Sequence, residues 1–192
     1  MIRPIILATF GLLFAWGGYH RWRAESGEPI NRRAEGWALL LGIRLTALVL
    51  FVMIGRWAWN PDLLVVAAVP VPEIGQWLGV ALMIGSAAWL MWMYRTLGSN
   101  ITDTVVTRRE AHFVRTGPYQ FVRNPMYVGL LALFVGVGIA VGNWLLPLMG
   151  GVIFTLLAIR TRTEERYLLE RFPDQYGQYM REVGRFWPKR PR

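Results

Sequence analysis

The feature that most constrains this chain is a series of apolar runs separated by polar, basic segments. A helix needs about 20 apolar residues to cross the ~30 Å hydrocarbon core of a bilayer. The second run meets that length, whereas the first is short, so we expect the first span to be tilted or slightly extended. The sequence therefore predicts an all-α, polytopic membrane protein with about five transmembrane helices, at residues 4–19, 37–59, 74–94, 125–141 and 143–159.

The composition agrees with this class: the 192 residues are 54% hydrophobic and 17% charged, with a mean hydropathy of +0.33. We expect a single integral membrane domain, 1–192, with three spans in 1–94 and no internal repeat. The first run is not expected to be a signal peptide, because no small-residue cleavage site follows it. The chain has no cysteine, which excludes disulfides, a cysteine nucleophile and a thiolate metal site. No metal site is predicted.

The basic residues flank the apolar runs and form no continuous stripe, so the net charge of +9 indicates anionic lipid headgroups rather than nucleic acid as partners. Segments 20–36 and 95–124 and the tail from residue 160 hold four, five and nine of the 21 Lys and Arg residues. Because such residues concentrate on the cytoplasmic side, we expect the C-terminal tail in the cytoplasm and the N-terminus outside.

Three further features have competing interpretations. Arg44, inside the second run, either snorkels to the nearer interface, which we favour, or lines a site. Residues 60–73 hold three prolines and are expected to form a loop or a shallow re-entrant segment. Val105 and Val106 belong either to a short strand or to an amphipathic interfacial segment.

The last two runs are joined only by Gly142 and Asn143, which predicts an antiparallel helical hairpin. Glycines on both arms would allow close packing within it, and Pro147 is expected to kink or shorten the second arm. The packing glycines are Gly129, Gly136, Gly138 and Gly142 on one arm, facing Gly150 and Gly151 on the other. The small residues of the third run, Gly79, Ala81, Gly85, Ser86 and Ala87, are likewise expected to serve helix packing.

A polar segment, TGPYQFVRNPMYVG at 116–129, leads directly into the fourth span. Gly117 and Pro118 mark a turn, and Asn124 followed by Pro125 is a typical helix start. The short hairpin should bring the beginning of this span close to the polar end of the fifth. The residues expected to meet there are Arg123, Asn124, Tyr127, Arg160, Glu164 and Glu165.

From the residues alone, simpler interpretations compete with a functional site. Tyr and Arg often anchor a membrane helix at headgroup level, and this explains the segment as well as a site does. Arg160 and Glu164, four residues apart on one helix face, are by themselves more typical of a surface salt bridge. The tail from residue 160 has an apolar face that either lies on the membrane or caps the site, formed by Tyr167, Leu168, Phe172, Tyr176 and Tyr179.

The segment closely resembles the signature of the isoprenylcysteine carboxyl methyltransferases and related phospholipid methyltransferases. That signature has a Gly-Pro-Tyr turn, then Arg-His-Pro-x-Tyr-x-Gly, and a Glu-Glu pair about forty residues later. Asn124 occupies the position where the family usually has His. The resemblance covers about residues 95–188, and the matching residues are Gly117, Pro118, Tyr119, Arg123, Pro125, Tyr127, Gly129, Glu164 and Glu165.

The resemblance implies that S-adenosyl-L-methionine binds on the cytoplasmic side and that a lipophilic substrate arrives laterally from the bilayer. It assigns Glu164 to the cofactor and Arg160 to the substrate, which makes these two the candidate catalytic residues. Further cofactor contacts are implied at Thr104, Ala111, His112, Phe113, Val114, Tyr119, Asn124, Pro125, Met126 and Tyr127.

These roles suit methyl transfer, because a carboxylate stabilises the cationic cofactor and aromatic faces pack against it. A carboxylate acceptor needs no general base, and Arg160 would orient it. An amine or thiol acceptor needs one; Glu165 and His112 are the nearest candidates, and neither is assigned. Asn124 is able to donate and accept hydrogen bonds as a neutral His does, but it takes no proton.

The expected function is thus membrane methyl transfer, most like carboxyl O-methylation of the isoprenylcysteine type. Phospholipid N-methylation and thiol S-methylation are alternatives. A sterol-reductase-like enzyme with a nicotinamide cofactor is another, suggested by the Arg- and Tyr-rich tail. A non-enzymatic membrane scaffold or transport component is the last, supported mainly by Arg44.

Overall fold

The computed structural model describes residues 2–24, 37–60, 67–98 and 113–189. Its named elements are all helical, which confirms the predicted all-α class. The predictions for Thr104, Val105, Val106, Ala111 and His112 lie outside the described residues. The α-helices are α1 (Ile2–Ala24), α2 (Trp37–Trp59), α3 (Glu73–Leu97), α4 (Pro125–Val141), α5 (Leu145–Arg171) and α6 (Pro173–Glu182), with a 3-10 helix at Gly117–Gln120 between α3 and α4.

Four of the described helices, α1, α2, α3 and α5, are long and apolar enough to cross a membrane. At 23 residues, α1 extends beyond its apolar run at both ends, as expected of a short first span. Helix α4 is apolar but has only 17 residues, which at 1.5 Å per residue is about 25 Å. It lies between α3 and α5, so five apolar helices form the bundle.

Helices α3 and α4 cross closely because glycines face each other. A Cβ on Gly79 would lie 2.5 Å from the backbone N of Ala140 and 2.7 Å from the O of Gly136. Ser86 and Ala87 are also buried. Ala81 and Gly85 are exposed and a Cβ on Gly85 would meet nothing within 4 Å, so the expectation that all five small residues of this run pack is wrong for these two.

The predicted α4–α5 hairpin is confirmed, with Gly142 in the left-handed region at φ 63°. Gly138 packs on Pro147 and Gly150 packs on Phe134 across it. Gly136 instead contacts α3, because α4 is sandwiched between two neighbours and its glycines serve both. The expectation that the glycines of the two arms face each other is therefore wrong for Gly136 and for three more glycines. Gly129 packs on Trp89 and Leu90 of α3, and Gly142 approaches Val69. A Cβ added to Gly151 would contact nothing within 4 Å.

Two other expectations are refined. Pro147 is the third residue of α5, where a backbone N–H has no intrahelical partner, so α5 accommodates it in its first turn and runs from Leu145 to Arg171 without a break. In segment 60–73, the residues from Ala67 onward pair with the hairpin turn: Val69 N donates to Gly142 O at 2.7 Å, and Trp144 N donates to Ala67 O at 3.2 Å.

Helix α1 packs on α3 and helix α2 packs on α5, and the rings of Phe14 on α1 and Phe51 on α2 meet edge to face with centroids 6.1 Å apart. Arg3 Nη2 donates to Trp59 O at 3.2 Å and joins their outer ends. Arg44 is exposed on α2, about 10 Å along the helix axis from Trp37. This placement agrees with snorkelling and leaves Arg44 outside the candidate site.

Candidate active site

The Gly-Pro turn closes on the polar end of α3. Gly117 has φ 58°, and a Cβ there would lie 2.3 Å from Thr96 Oγ1, so only glycine fits both the backbone and the space. Pro118 is fully buried behind it, and Tyr119 N donates to Thr116 O at 3.2 Å. The turn therefore holds Tyr119 against the main core, next to the start of α4.

The next turn of chain begins α4 and points Tyr127 toward α5. Pro125 is the first residue of α4, as predicted, and its carbonyl accepts a hydrogen bond of 2.9 Å from Trp89 Nε1. Tyr127 is 3% exposed, and its hydroxyl donates to Glu164 Oε2 at 2.7 Å. The expected approach of the fourth span to the polar end of the fifth is therefore observed.

Arg160 completes this group. Its Nε lies 3.2 Å from Glu164 Oε1, and the two side chains are 13% and 21% exposed. The pair thus differs from the surface salt bridge that the spacing alone favours: it lies partly buried beside Tyr127. Glu164 joins a tyrosine hydroxyl and a guanidinium while retaining exposed surface, so the three side chains form a small polar site at the polar end of the bundle.

Glu165 has a different environment from its neighbour. Arg123 donates to Glu165 Oε1 from Nε at 3.0 Å and from Nη2 at 2.9 Å, and Arg185 pairs with both oxygens of the same carboxylate. Arg123 also donates to the carbonyls of Met180, at 3.2 Å, and Val183, at 2.5 Å. This buried network ties the tail to the base of α4. Both oxygens of the Glu165 carboxylate are engaged by guanidinium groups, so Glu165 does not suit the base role.

Asn124 belongs to the same attachment. Its backbone N and its Nδ2 both donate to Arg185 O, at 3.1 and 3.2 Å. Sequence reasoning missed Arg185, because nothing in its local sequence distinguishes it from the other basic residues of the tail. Only the folded chain shows that it bridges Glu165 and Asn124.

The apolar face of the tail caps the turn. Tyr176 and Tyr179 are buried, and Tyr179 OH donates to Tyr119 O at 2.5 Å. Phe113 packs edge-on against Tyr179, with ring centroids 5.3 Å apart. Of the two interpretations of this face, the structure supports the cap for these residues. Burial, together with nearby Tyr179 and Glu164, raises the pKa of Tyr119, so its hydroxyl stays protonated and able to donate at neutral pH.

The predicted cofactor contacts have different surroundings. Tyr119 and Tyr127 adjoin Glu164, Met126 packs on the core, Pro125 is fully buried, and Val114 is half-buried. A partly exposed carboxylate beside tyrosine rings fits a sulfonium or ammonium group, which seeks opposite charge and π faces. Phe113 and Asn124 are engaged with the tail instead. Thr104, Ala111 and His112 lie outside the described residues.

The comparisons with known proteins agree with this geometry. The phospholipid methyltransferase family profile matches residues 74–175. Protein-S-isoprenylcysteine O-methyltransferase of Schizosaccharomyces pombe is 33% identical over 89 residues, 45% of this chain and 38% of that protein. Methanethiol S-methyltransferase 1 of Bradyrhizobium diazoefficiens is 24% identical over 201 residues, 99% of this chain and 67% of that protein.

A solved structure of a eukaryotic intramembrane Ras methyltransferase, isoprenylcysteine carboxyl methyltransferase, has a similar fold. The TM-score is 0.57 at 20% sequence identity, over 97% of this chain and 70% of that one. The four long apolar helices of this chain, together with this likeness in fold, identify it as an integral membrane protein. The match with the S. pombe relative spans well under half of that relative's length. Because the family profile matches more than half of the sequence, including the turn, the hairpin and the Glu-Glu pair, the chain belongs to the phospholipid methyltransferase family.

Proposed function

We propose that this protein transfers a methyl group from S-adenosyl-L-methionine to a lipophilic acceptor at the polar end of its helix bundle. The observation that supports this most is the partly buried Glu164 carboxylate, held by Tyr127 and Arg160 beside the Gly-Pro-Tyr turn. Glu164, Tyr127 and the turn belong to the family signature, and the fold brings them together from segments about forty residues apart; Arg160 lies one helical turn before Glu164.

The cofactor supplies an electrophilic methyl group on a sulfonium. Glu164 holds its positive charge, and the rings of Tyr119 and Tyr127 pack against its apolar parts. The hydrogen bond from Tyr127 fixes the direction of the carboxylate. Capping by Tyr176 and Tyr179 keeps water out of this end of the bundle, which strengthens each electrostatic contact there.

Arg160 orients the acceptor. It already lies next to Glu164, so an anionic group bound to Arg160 would be placed beside the bound cofactor. A carboxylate acceptor is ionised at neutral pH and needs only positioning, which favours carboxyl O-methylation as the first candidate reaction. The acceptor enters laterally from the bilayer, and the site faces the cytoplasm, in accordance with the distribution of Lys and Arg.

Thiol S-methylation is the second candidate, and the extent of similarity favours it. In sequence, the Bradyrhizobium methanethiol S-methyltransferase matches nearly the whole chain, including α1 and α2, whereas the S. pombe isoprenylcysteine relative matches less than half. The first two helices therefore resemble those of a thiol methyltransferase. The solved isoprenylcysteine carboxyl methyltransferase structure also covers 97% of the chain, by fold at 20% identity.

Calorimetry with the demethylated product, S-adenosylhomocysteine, tests the central assignment. Glu164→Gln removes the charge and keeps the shape, so we expect affinity to fall by roughly 1.5 to 3 kcal/mol, the contribution of a hydrogen bond to a charged group. Glu170→Gln is the matched control, because Glu170 is an exposed glutamate on the same helix. Equal affinities of wild type, Glu164→Gln and Glu170→Gln would remove Glu164 from the cofactor site.

A further inference from the structure

Helix α1 carries a histidine, His20, to which the proposed methyl-transfer site assigns no role. Its Nε2 is buried, and among the described residues it has no hydrogen-bond partner. A buried polar atom without a partner costs free energy, so a ligand or substrate that supplies the missing partner would be bound preferentially there. Such an atom, at the polar end of the bundle where the candidate site also lies, indicates a function.

The position of His20 is well determined by contacts between α1 and α3. Trp16 Nε1 donates to Met91 O at 3.2 Å, and a Cβ on Gly17 would lie 3.5 Å from the ring of Tyr94. The His20 ring stacks on Tyr94, with centroids 6.5 Å apart and planes 19° apart. It also contacts Trp16, at 5.0 Å between centroids. The imidazole is thus held between two helices at the polar end of the bundle.

Tyr94 connects this position to the proposed site. It packs against the same core cluster as Tyr119, and a Cβ on Gly117, in the turn that carries Tyr119, would touch Thr96, two residues after Tyr94. Tyr94 and His20 therefore lie at the same end of the bundle as the turn. The imidazole belongs to α1, whereas Glu164 and Arg160 belong to α5.

We propose that His20 accepts the proton of a lipophilic thiol when this enzyme carries out thiol S-methylation. This inference rests on the proposed methyl transfer and adds the group that a thiol requires. Thiols have a pKa near 8.5, about one and a half units above neutral, and the thiolate is the nucleophile. Among the described residues, Glu165 is paired with two arginines and Asn124 takes no proton, so neither supplies that base; His112 lies outside the described residues.

In this step the acceptor S–H bond breaks and its proton forms an N–H bond with Nε2. The sulfur electron pair forms the new bond to the methyl carbon. The electron pair of the old carbon–sulfur bond returns to the departing sulfur, which leaves as a neutral thioether. The imidazolium then loses its proton to water. The acceptor is thus converted from thiol to methyl thioether, with charge conserved.

Turnover of a simple lipophilic thiol tests the proposal on the whole protein. With hexanethiol as acceptor, we expect His20→Gln to lower turnover about 100-fold, the contribution of a general base. Affinity for S-adenosylhomocysteine should be unchanged, which shows that the variant is folded. Tyr19→Phe, an exposed neighbour on the same turn, is the control and should keep wild-type turnover. Equal hexanethiol turnover in wild type and His20→Gln would overturn the proposal.

A second measurement needs no methyl transfer. The chain has two histidines, so 15N-histidine labelling yields few ring signals, and His20→Gln identifies those of His20. With S-adenosylhomocysteine bound, hexanethiol should shift the Nε2 resonance of His20, and hexyl methyl sulfide, which has no S–H, should not. An unmoved resonance would overturn the proposal even if His20→Gln failed to fold.

The same set of experiments separates this inference from the proposed function. A wild-type protein that methylates a prenylcysteine carboxylate but not hexanethiol, with an unmoved His20 resonance, would overturn the role of His20 and leave methyl transfer intact. Loss of the Glu164 effect on S-adenosylhomocysteine affinity would instead contradict the proposed cofactor site.

Discussion

Glu164 and Glu165 are adjacent, yet they contact different parts of the molecule. Consecutive helical residues are about 100° apart around the axis, so one side chain points toward Tyr127 and the other toward Arg123. Glu165 is 5% exposed and neutralised by two arginines, which makes it part of the architecture. Glu164 has greater exposure and a geometry suited to a ligand. A Glu-Glu pair thus provides one structural and one candidate functional residue.

The role of Arg160 in orienting the acceptor is tested by a conservative substitution. Arg160→Lys keeps a positive charge near Glu164 but loses the planar guanidinium that binds a carboxylate through two hydrogen bonds. We expect affinity for S-adenosylhomocysteine to stay within about twofold and turnover of a carboxylate acceptor to fall at least tenfold, about 1.4 kcal/mol. Steady-state kinetics and calorimetry on one preparation measure both.

Arg162→Lys is the control for that experiment, since Arg162 is exposed on the same helix. Wild-type turnover of the carboxylate acceptor in Arg160→Lys would show that this residue contributes charge alone. The carboxylate acceptor would then have no residue to orient it.

Among the elements, the α3–α4 crossing determines where the site forms. The closest approach is at Gly79 and Gly136, where helix backbones touch without intervening side chains. Toward the polar end, Gly129 packs on Trp89 and Leu90 of α3. The start of α4, with Tyr127, is thereby held between α3 and α5. Close helix approach in lipid depends on such small residues.

A pair of glycine substitutions on α3 tests this role. Gly79→Ala places a Cβ 2.5 Å from the backbone of Ala140, which cannot move aside as a side chain can. We expect the free energy of unfolding in detergent to fall by about 1–3 kcal/mol, as for an overpacked core. Gly85→Ala on the same helix meets nothing within 4 Å and should be neutral or slightly stabilising, because alanine is the better helix former. Equal thermal midpoints for the two variants would contradict the close crossing.

At the scale of the whole molecule, topology connects the site to a compartment. The described helices place the polar ends of α1, α3, α4 and α5 together, and the tail folds over the same end. The Lys and Arg distribution predicts that this end is cytoplasmic. The cofactor would then reach Glu164 from the cytosol, and the acceptor would arrive from the bilayer.

The absence of native cysteine makes this topology directly testable. Trp59→Cys and Trp187→Cys form a matched pair, since these tryptophans are 88% and 72% exposed at the two ends of the molecule. In intact cells, a membrane-impermeant maleimide should label the cysteine at 59 and leave the one at 187 unlabelled until the cells are opened. The reverse pattern would show that the tail lies outside.

Much of the architecture follows directly from the sequence. The spans were predictable because a bilayer demands about 20 apolar residues per crossing, and the hairpin was predictable because only Gly142 and Asn143 separate its arms. Spacing also predicted the meeting of Tyr127 with Glu164, since a two-residue connection forces the polar ends of both helices together.

Other features depend on contacts between segments remote in sequence, which no local pattern encodes. The Arg185–Glu165–Arg123 network joins three separate segments, and the helix contacts of the glycines depend on which neighbours surround α4. The burial of His20 Nε2 likewise depends on how α1 packs on α3. The sequence by itself determined the membrane helices, their order and the residues available for chemistry, because hydrophobicity and spacing are local properties. Tertiary packing alone decided which charges pair, which tyrosines are buried and that His20 Nε2 has no hydrogen-bond partner among the described residues, because these are properties of neighbours in space.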